Sequence, residues 1–439
     1  MYADKRKHRG YNMTEKKGER PSRGYAYYVF ILLFLLYMFD YIDRLVVVSL
    51  FPYIKSEWGL TDTQCGMLVS AVYWSILLFT FPVSILIDRW SRKKSIGIMA
   101  LLWSMATALC ALTKSFTQLF AARTIIGIGE AGYAPGGTAM ISGIFPEEMR
   151  ARILGIWNAS IPMGSAIGII LGGVIAENFG WRHAFGIVAI PGLIVAIMFF
   201  WVRDYQTVAL VRSDDTGVKV NMSRMDIIRQ FTRNGSLICT NLGFAASVFV
   251  TTSLMSWLPT YYHRFELLDM SRAGVKSGSI MFMAIIGAPL GGLLADKWFQ
   301  KVPKGRLLFP ALSSAITAVL ILIAFLLLEG TAQYITLMIA GITTVAFVPA
   351  AVSVTQDVVH PGLRAISLSI CVIIQHVLGS SLGPIFVGMV SDRYDIKTAL
   401  TLLPLFTFIA GILFFAGSFF YERDCDRVEK IEVQLEDRL

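Results

Sequence analysis

The chain has 439 residues, of which 55% are hydrophobic and only 16% are charged, and its mean hydropathy is +0.62. Soluble domains carry about 25% charged residues, so this composition excludes a soluble enzyme, a disordered chain and, despite the net charge of +9, a nucleic-acid-binding protein. A bilayer-spanning helix needs about 20 apolar residues, and the number of such runs excludes a protein held by a single anchor.

In chain order, the long apolar runs predict an all-α membrane protein with twelve transmembrane helices. The predicted spans are 25–52, 63–88, 95–113, 116–142, 149–177, 182–203, 232–262, 270–295, 305–328, 332–358, 364–391 and 395–421. The predicted division is a basic N-terminal tail over 1–24, a six-helix bundle over 25–203, a linker over 204–231, a second six-helix bundle over 232–421 and a C-terminal tail over 422–439.

The distribution of basic residues predicts the orientation of these helices. With the N-terminus placed in the cytoplasm, 29 of the 39 Lys and Arg residues fall in cytoplasmic segments. Cytoplasmic loops of membrane proteins carry such an excess of positive charge. We therefore expect both terminal tails and the linker to lie in the cytoplasm. We interpret the excess of Lys and Arg as a sign of membrane orientation.

The two groups of six helices repeat each other in sequence. At a constant offset of 215 residues, Gly173 matches Gly388 and Glu177 matches Asp392. The stretch SILIDRWSRKK over 84–94 also matches GLLADKWFQKV over 292–302. Repeated halves are typical of secondary transporters, whose substrate site lies between the repeats near the middle of the bilayer.

The stretch Asp88-Arg89-Trp90-Ser91-Arg92-Lys93 resembles the signature of the major facilitator superfamily between its second and third helices, written G-x-x-x-D-R-x-G-R-K. The chain has Ser84 and Ser91 where the signature prefers Gly. The resemblance implies two six-helix pseudo-repeats that rock around a central site. It also implies that Asp88, Arg89 and Arg92 form a cytoplasmic gate of charge pairs between helix ends.

Two families within the superfamily share motifs with the chain. Several stretches resemble the anion:cation symporters, which transport organic anions: Asp40-Tyr41-Ile42-Asp43-Arg44 in helix 1, GIGEAGYAP over 127–135, FPEEMRA over 145–151, GWRHAF over 180–185 and WLPTYY over 257–262. The helix-1 Asp-Arg pair, the helix-4 Arg with GxGEA, and HVLGSSLGPIFVGMVSD over 376–392 resemble the Spinster-like lipid transporters. The loop and helix-7 motifs favour the symporters and leave the lipid transporters as the alternative.

Five charged residues lie towards the middle of predicted spans, all in the first half: Asp40, Asp43 and Arg44 in helix 1, and Arg123 and Glu130 in helix 4. A charge in mid-bilayer costs about 2.5–3.5 kcal/mol on insertion scales, so such groups normally face a cavity or a partner. Spacings of three, four and seven residues place each set on one helix face. We expect both sets to line one central pocket.

The predicted roles follow from the chemistry of these groups. The planar fork of Arg44 suits a carboxylate of an anionic substrate. The resemblance to the symporters implies that Asp43 and Glu130 carry the coupled protons, and carboxyl groups removed from water bind protons more readily. We expect Arg123 to pair with an acid, and Asp40, where the symporters tend to have Asn, to neutralise Arg44. The alternative is a paired network that only fixes the interface between helices 1 and 4.

Polar and aromatic residues extend the predicted pocket. Gln375 and His376 lie in the middle of predicted helix 11 and are the expected substrate-facing pair of the second half, and Tyr41, Tyr73 and Trp74 are candidate lining residues. Histidine titrates near neutral pH. The alternative roles are structural: a satisfied histidine inside a helix, and aromatic rings that only pack.

These observations predict a secondary transporter that imports a small organic anion together with protons. No nucleophile–base pair, metal-ligand spacing or nucleotide-binding loop emerges from the sequence, so we expect no enzyme activity, no metal, no cofactor and no nucleic-acid partner. The repeat and the gate motif favour alternating access over a channel. We expect a functional monomer in the inner or plasma membrane.

Overall fold

The computed structural model describes residues 22–89, 91–203, 231–360 and 363–436, without the side chains of 84–89, 92, 147, 148, 151, 365 and 429–436. The helices before the interval 204–230 are α1 (Arg23–Val46), α2 (Phe51–Trp58), α3 (Asp62–Arg89), α4 (Arg92–Cys110), α5 (Phe116–Glu130), α6 (Tyr133–Ile144), α7 (Glu147–Asn158), α8 (Ser160–Phe179) and α9 (Trp181–Phe199). A 3₁₀ turn, Val47–Leu50, joins α1 to α2.

The helices after that interval begin with α10 (Gly235–Phe265), α11 (Met270–Phe282), α12 (Ala284–Phe299), α13 (Gly305–Leu326), α14 (Gly330–Ala346), α15 (Val348–Asp357) and α16 (Arg364–Ile374). A π-helical turn, Gln375–Ser380, then leads into α17 (Leu382–Arg393), and the last helix is α18 (Ile396–Glu436). The described residues contain no strand.

Several spans that the sequence predicts as single helices are interrupted, and a proline follows four of the interruptions. A proline removes the hydrogen bond to the carbonyl four residues earlier and its ring clashes there. Pro135, Pro162 and Pro349 each follow a break by three to five residues, between α5 and α6, α7 and α8, and α14 and α15. Pro384 stands four residues after Ser380, where the π-helical turn ends.

Repeat-related glycines hold equivalent helices together in the two halves. Gly164 and Gly168 of α8 lie against α1, and Gly379 and Gly383 lie against α10. A Cβ at Gly168 would stand 2.7 Å from a backbone oxygen of α1, and one at Gly383 would stand 2.5 Å from a backbone oxygen of α10. Small residues allow this close approach of membrane helices, so the sequence repeat corresponds to a repeated packing arrangement.

The molecule is a multi-pass membrane protein. Within the described ranges, nine helical stretches are long and apolar enough to cross a bilayer. Large apolar side chains are exposed on the bundle, including Phe81 at 75%, Ile412 at 66% and Leu293 at 63%, and lipid is the solvent that suits them. The predicted all-α membrane class is confirmed. The predicted linker 204–231 lies almost wholly outside the described residues.

Candidate functional site

Helices α1 and α5 bring together the five ionisable residues that the sequence singled out. Asp40, Asp43, Arg44, Arg123 and Glu130 are each no more than 7% exposed, and we call them the central cluster. An ionisable group at membrane depth marks a functional site by default, because its cost must be offset by a partner. The contacts between these residues therefore decide what the site can do.

Arg44 is held between two carboxylates. Its Nε donates to Glu130 Oε2 at 2.7 Å, and its Nη2 lies 2.9 Å from Asp40 Oδ2. Asp40 lies one turn before Arg44 on α1, whereas Glu130 is the last residue of α5. Two different carboxylates thus contact two nitrogens of one guanidinium. The expectation that Asp40 neutralises Arg44 agrees with this geometry.

Arg123 makes contacts that differ from the expected ion pair. Its Nε donates to the Leu68 carbonyl at 3.1 Å, its Nη1 to the Asp43 carbonyl at 2.8 Å and its Nη2 to the Arg44 carbonyl at 2.9 Å. The last four carbonyls of an α-helix lack partners within it, and α1 ends at Val46. Arg123 therefore caps α1 and ties it to α3 and α5, and the described ion pair of Glu130 is with Arg44.

Asp43 forms no ion pair with Arg44 or Arg123 among the described contacts. Among the described residues its two carboxylate oxygens are buried without a hydrogen-bond partner. The Thr107 hydroxyl beside it donates to the Trp103 carbonyl at 3.0 Å. A buried, unpartnered carboxylate is costly unless it binds a proton, which keeps Asp43 a candidate proton carrier.

Aromatic rings connect the central cluster to the second half of the chain. The Arg44 Cζ lies 4.6 Å from the Tyr41 ring centroid and 5.9 Å from that of Tyr73. Tyr73 of α3 stacks on His376, with centroids 5.6 Å apart and planes at 27°. The His376 Nδ1 is buried without a partner among the described residues. His376 belongs to the π-helical turn, a feature that frequently marks functional sites.

The other predicted site residues have different surroundings. Trp74 packs against Phe120, and Gln375 Nε2 donates to Cys371 Sγ at 3.1 Å. The predicted gate residues Asp88, Arg89 and Arg92 occupy the ends of α3 and α4, but their side chains lie outside the described part of the structure. Their predicted contacts stay predictions.

Sequence reasoning missed a second charged site, which lies at one end of the helical bundle, where α3 begins and α10 ends. Asp62, which is 1% exposed, accepts from Arg264 Nη1 at 2.6 Å and Nη2 at 2.7 Å, from Lys55 Nζ at 2.5 Å and from the Ser391 hydroxyl at 2.5 Å. We call this end, which also holds Glu177 and the start of α11, the distal end. Arg264 and Ser391 belong to the second half, so Asp62 joins the two halves.

Comparison with known proteins identifies relatives of this chain. The family model described as Major Facilitator Superfamily matches residues 33–384. A hexuronate transporter of Bacillus subtilis is 25% identical over 72% of this chain and 75% of its own. Protein spinster homolog 1 of Xenopus tropicalis is 26% identical over 91% of this chain and 82% of its own, and the human homolog is 26% identical over 85% and 74%.

A solved structure shares the fold. It is the crystal structure of a bacterial homologue of the human lysosomal transporter Spinster, in an inward-facing and unoccupied conformation. The TM-score is 0.81 with 24% identity, over 92% of this chain and 99% of that one. The helices of this chain are therefore arranged as in that structure.

Proposed function

We propose a function from one premise, namely that the chain belongs to the Major Facilitator Superfamily. It is a membrane transporter with the fold of that superfamily, as the sequence predicted. Members move their substrate by rocking two helical halves around a central site. The activity we propose for this member is symport of protons with a small organic anion, a carboxylate or a sugar acid.

The observation that carries this proposal is the double engagement of Arg44. Its fork is the group best suited to bind a substrate carboxylate, yet Glu130 and Asp40 occupy it at 2.7 and 2.9 Å. An anion can replace a carboxylate at the Arg44 Nε or Nη2 when that carboxylate no longer holds the nitrogen. Protonation of Glu130 removes the charge that holds Arg44, so proton binding and anion binding favour each other through one side chain.

Charge counting supports the same coupling. Three carboxylates and two guanidinium groups of the central cluster carry a net charge of −1 when all are ionised, so one bound proton makes the cluster neutral. A substrate carboxylate adds one negative charge, which a further proton offsets. Because an uncompensated charge is expensive at membrane depth, the loaded carrier reorients most easily with the anion and its protons bound together. Asp43 and Glu130 are the proposed proton carriers.

The second half of the chain supplies the other wall of the proposed pocket. His376 stacks on Tyr73 across the boundary between the halves, and the Tyr41 ring lies 4.6 Å from the Arg44 Cζ. A sugar acid can place its carboxylate at Arg44 and its hydroxyl groups towards the free nitrogen of His376. The name of the hexuronate transporter among the relatives supports this substrate class.

We propose that the distal end faces the outside of the cell, because most basic residues lie towards the opposite end, and that the protein acts as a monomer in the plasma membrane. The contacts of Asp62 with Arg264 and Ser391 close the distal end. This arrangement corresponds to an inward-facing carrier in that orientation.

A second candidate function is proton-coupled transport of a lipid or lysolipid. One observation favours it: the spinster relatives align with 91% of the chain, against 72% for the hexuronate transporter. A lysolipid needs a cavity that opens sideways to the bilayer and an apolar wall for its acyl chain, whereas the anion needs an enclosed polar pocket at Arg44.

The test is uptake by purified protein in proteoliposomes, with and without an imposed pH gradient and with the membrane potential clamped. The panel contains hexuronates, short monocarboxylates, aromatic acids and lysolipids. We expect uphill accumulation of one anion class with an acidic exterior and only equilibration without the gradient. Uptake of lysolipid alone selects the second candidate. Accumulation that ignores the pH gradient refutes proton coupling for either class.

A further inference from the structure

The distal end contains two contacts between the halves that have the same construction. In the first, Glu177 Oε2 accepts from the Met270 backbone N–H at 2.8 Å, at the first residue of α11. In the second, Asp392 Oδ1 accepts from the Asp62 N–H at 2.7 Å, at the first residue of α3, and Oδ2 accepts from the Thr63 N–H at 2.9 Å. Each carboxylate satisfies N–H groups that a helix start leaves free.

A glycine one turn before each carboxylate completes the contact. A Cβ on Gly173 would stand 2.3 Å from the Met270 carbonyl oxygen, and a Cβ on Gly388 would stand 2.5 Å from the Asp62 carbonyl oxygen. Both carbonyl oxygens belong to the backbone, so they cannot move aside as the end of a flexible side chain can. The start of each opposing helix therefore sits on the glycine while the carboxylate binds its N–H groups.

The internal repeat relates the two contacts. Gly173 and Glu177 become Gly388 and Asp392 at the same offset of 215 residues. In each case the end of one half's fifth predicted span holds the start of the other half's second predicted span. We infer that the two Gly-x-x-x-carboxylate segments, 173–177 and 388–392, form a paired distal gate, which holds the carrier closed at this end and releases when the halves rock apart.

The electrostatics of the two contacts support a gate that opens without leaving a buried, unpaired carboxylate. The N-terminus of a helix carries a partial positive charge that favours a carboxylate. When the halves separate, each carboxylate and each helix start becomes exposed to water at the end of the molecule, where both are readily hydrated. Opening thus exchanges protein hydrogen bonds for water hydrogen bonds, and the net cost is a small fraction of what a buried, unpaired carboxylate would require.

The chain contains its own reporter for this gate. Cys65 lies three residues after Asp62 and is 0% exposed while the distal end is closed. Cys110 is also 0% exposed but lies within the first half, and Cys239 is partly exposed near the opposite end. Maleimide labelling in nanodiscs, resolved by peptide mass spectrometry, therefore reports distal opening as the Cys65 rate relative to Cys239. No substrate is needed, so the result is independent of the proposed symport.

The test variants are Glu177→Gln and Asp392→Asn, singly and combined. Loss of one charged hydrogen bond of about 1.4 kcal/mol changes an equilibrium about tenfold, so we expect each single variant to raise Cys65 labelling about tenfold and the double variant to raise it further. Glu177→Asp keeps the carboxylate and should retain most of the protection. Cys110 should stay unlabelled throughout, which shows that the fold is intact.

A matched control comes from Glu57, which accepts from Arg182 Nη1 at 2.9 Å and Nη2 at 2.8 Å at the same end but within one half. These donors hold the pKa of the Glu57 carboxyl below its usual value. Glu57→Gln should leave Cys65 protected. Equal labelling in Glu57→Gln and Glu177→Gln, or unchanged labelling in the double gate variant, overturns the inference.

The glycines give an independent arm. Gly173→Ala and Gly388→Ala should raise Cys65 labelling at least as much as the amide variants. The added methyl group would clash with the first backbone carbonyl of the opposing helix and prevent its close approach. Gly155→Ala is the control, since nothing lies within 4 Å of a Cβ there. If the alanine variants label like the parent protein, the close approach at these glycines does not hold the gate.

Discussion

The substitution Glu130→Gln separates proton coupling from anion binding. In the parent protein, Glu130 Oε2 accepts from Arg44 Nε at 2.7 Å, with the Glu130 side chain fully buried. Gln keeps the size of the side chain and imitates the protonated carboxyl permanently. Arg44 retains Asp40 at 2.9 Å, so the variant still positions the guanidinium while its Nε loses the charged partner.

The magnitude follows from the kind of bond that is lost. A hydrogen bond to a charged group contributes about 1.5–3 kcal/mol, which corresponds to roughly a 10- to 150-fold change in an equilibrium constant. An anion that competes with ionised Glu130 for Arg44 pays that amount, whereas in Glu130→Gln it does not. We therefore expect the variant to bind the anion at least about tenfold more tightly above neutral pH, with little dependence on pH.

Three assays on one preparation test this prediction. Binding is measured at acidic and alkaline pH, substrate-for-substrate exchange is measured across a proteoliposome membrane, and uphill accumulation is measured under an imposed pH gradient. Exchange requires no net proton movement, so Glu130→Gln should retain it. Accumulation should disappear, because the proton no longer binds and leaves with each cycle.

Two outcomes would refute the reasoning in different ways. If Glu130→Gln accumulates substrate against its gradient as well as the parent protein does, Glu130 does not couple protons and Asp43 becomes the leading candidate. If exchange is lost together with accumulation, the pair of Arg44 and Glu130 fixes the packing of α1 on α5, and the structural alternative for the cluster is favoured.

The remaining predictions concern the guanidinium of Arg44, the predicted cytoplasmic gate at Asp88, and His376 of the second half. Arg44→Lys keeps the charge but not the fork, so anion affinity should fall about tenfold or more, with Arg182→Lys as the control; unchanged affinity removes Arg44 from the site. Asp88→Asn should shift cysteine accessibility towards a carrier open at the opposite end from Asp62, and an unaltered ratio between the two sides counts against that gate. His376→Phe keeps a ring for stacking but removes Nδ1, so the KM for hydroxylated anions should rise several-fold; an unchanged panel profile excludes that contact.

Composition and long apolar runs were sufficient to predict an all-α membrane protein, and a match between two stretches of the sequence revealed the internal repeat. Twelve apolar runs, the basic loops and the signature around Asp88 predict the membrane fold, because each of these signals is local in sequence. The interruptions of the spans could not be located from proline alone. Pro135 and Pro384 each stand about one turn after a break, but Pro82 and Pro259 lie inside unbroken helices.

Pairings between distant residues could not be predicted to the same degree. Helical spacing places Arg123 and Glu130 on one face of one helix, but the partner of each group depends on how α1 is rotated against α5. The carboxylate that holds Arg44 and the carbonyls that hold Arg123 are set by that rotation. The distal gate had a sequence signal, the repeat match of Glu177 with Asp392, but its meaning requires knowing which helix starts face those carboxylates.

The contacts of Arg123 lead to a prediction that distinguishes a brace from a coupling residue. Its guanidinium donates to three backbone carbonyls, two of them at the end of α1. Arg123→Lys supplies a single ammonium centre that cannot reach three acceptors in a fixed planar pattern. A buried acceptor left without a partner costs about 1–3 kcal/mol.

We therefore expect Arg123→Lys to lower the thermal stability of the purified protein by several degrees, while the pH dependence of whatever transport remains keeps its shape. The parallel measurement on Glu130→Gln should instead change the pH profile of transport. If Arg123→Lys instead flattens the pH profile at undiminished stability, Arg123 acts on a titrating carboxyl through its charge. The cap on α1 would then be incidental, and the assignment of the two arginines, one to substrate and one to structure, would have to be abandoned.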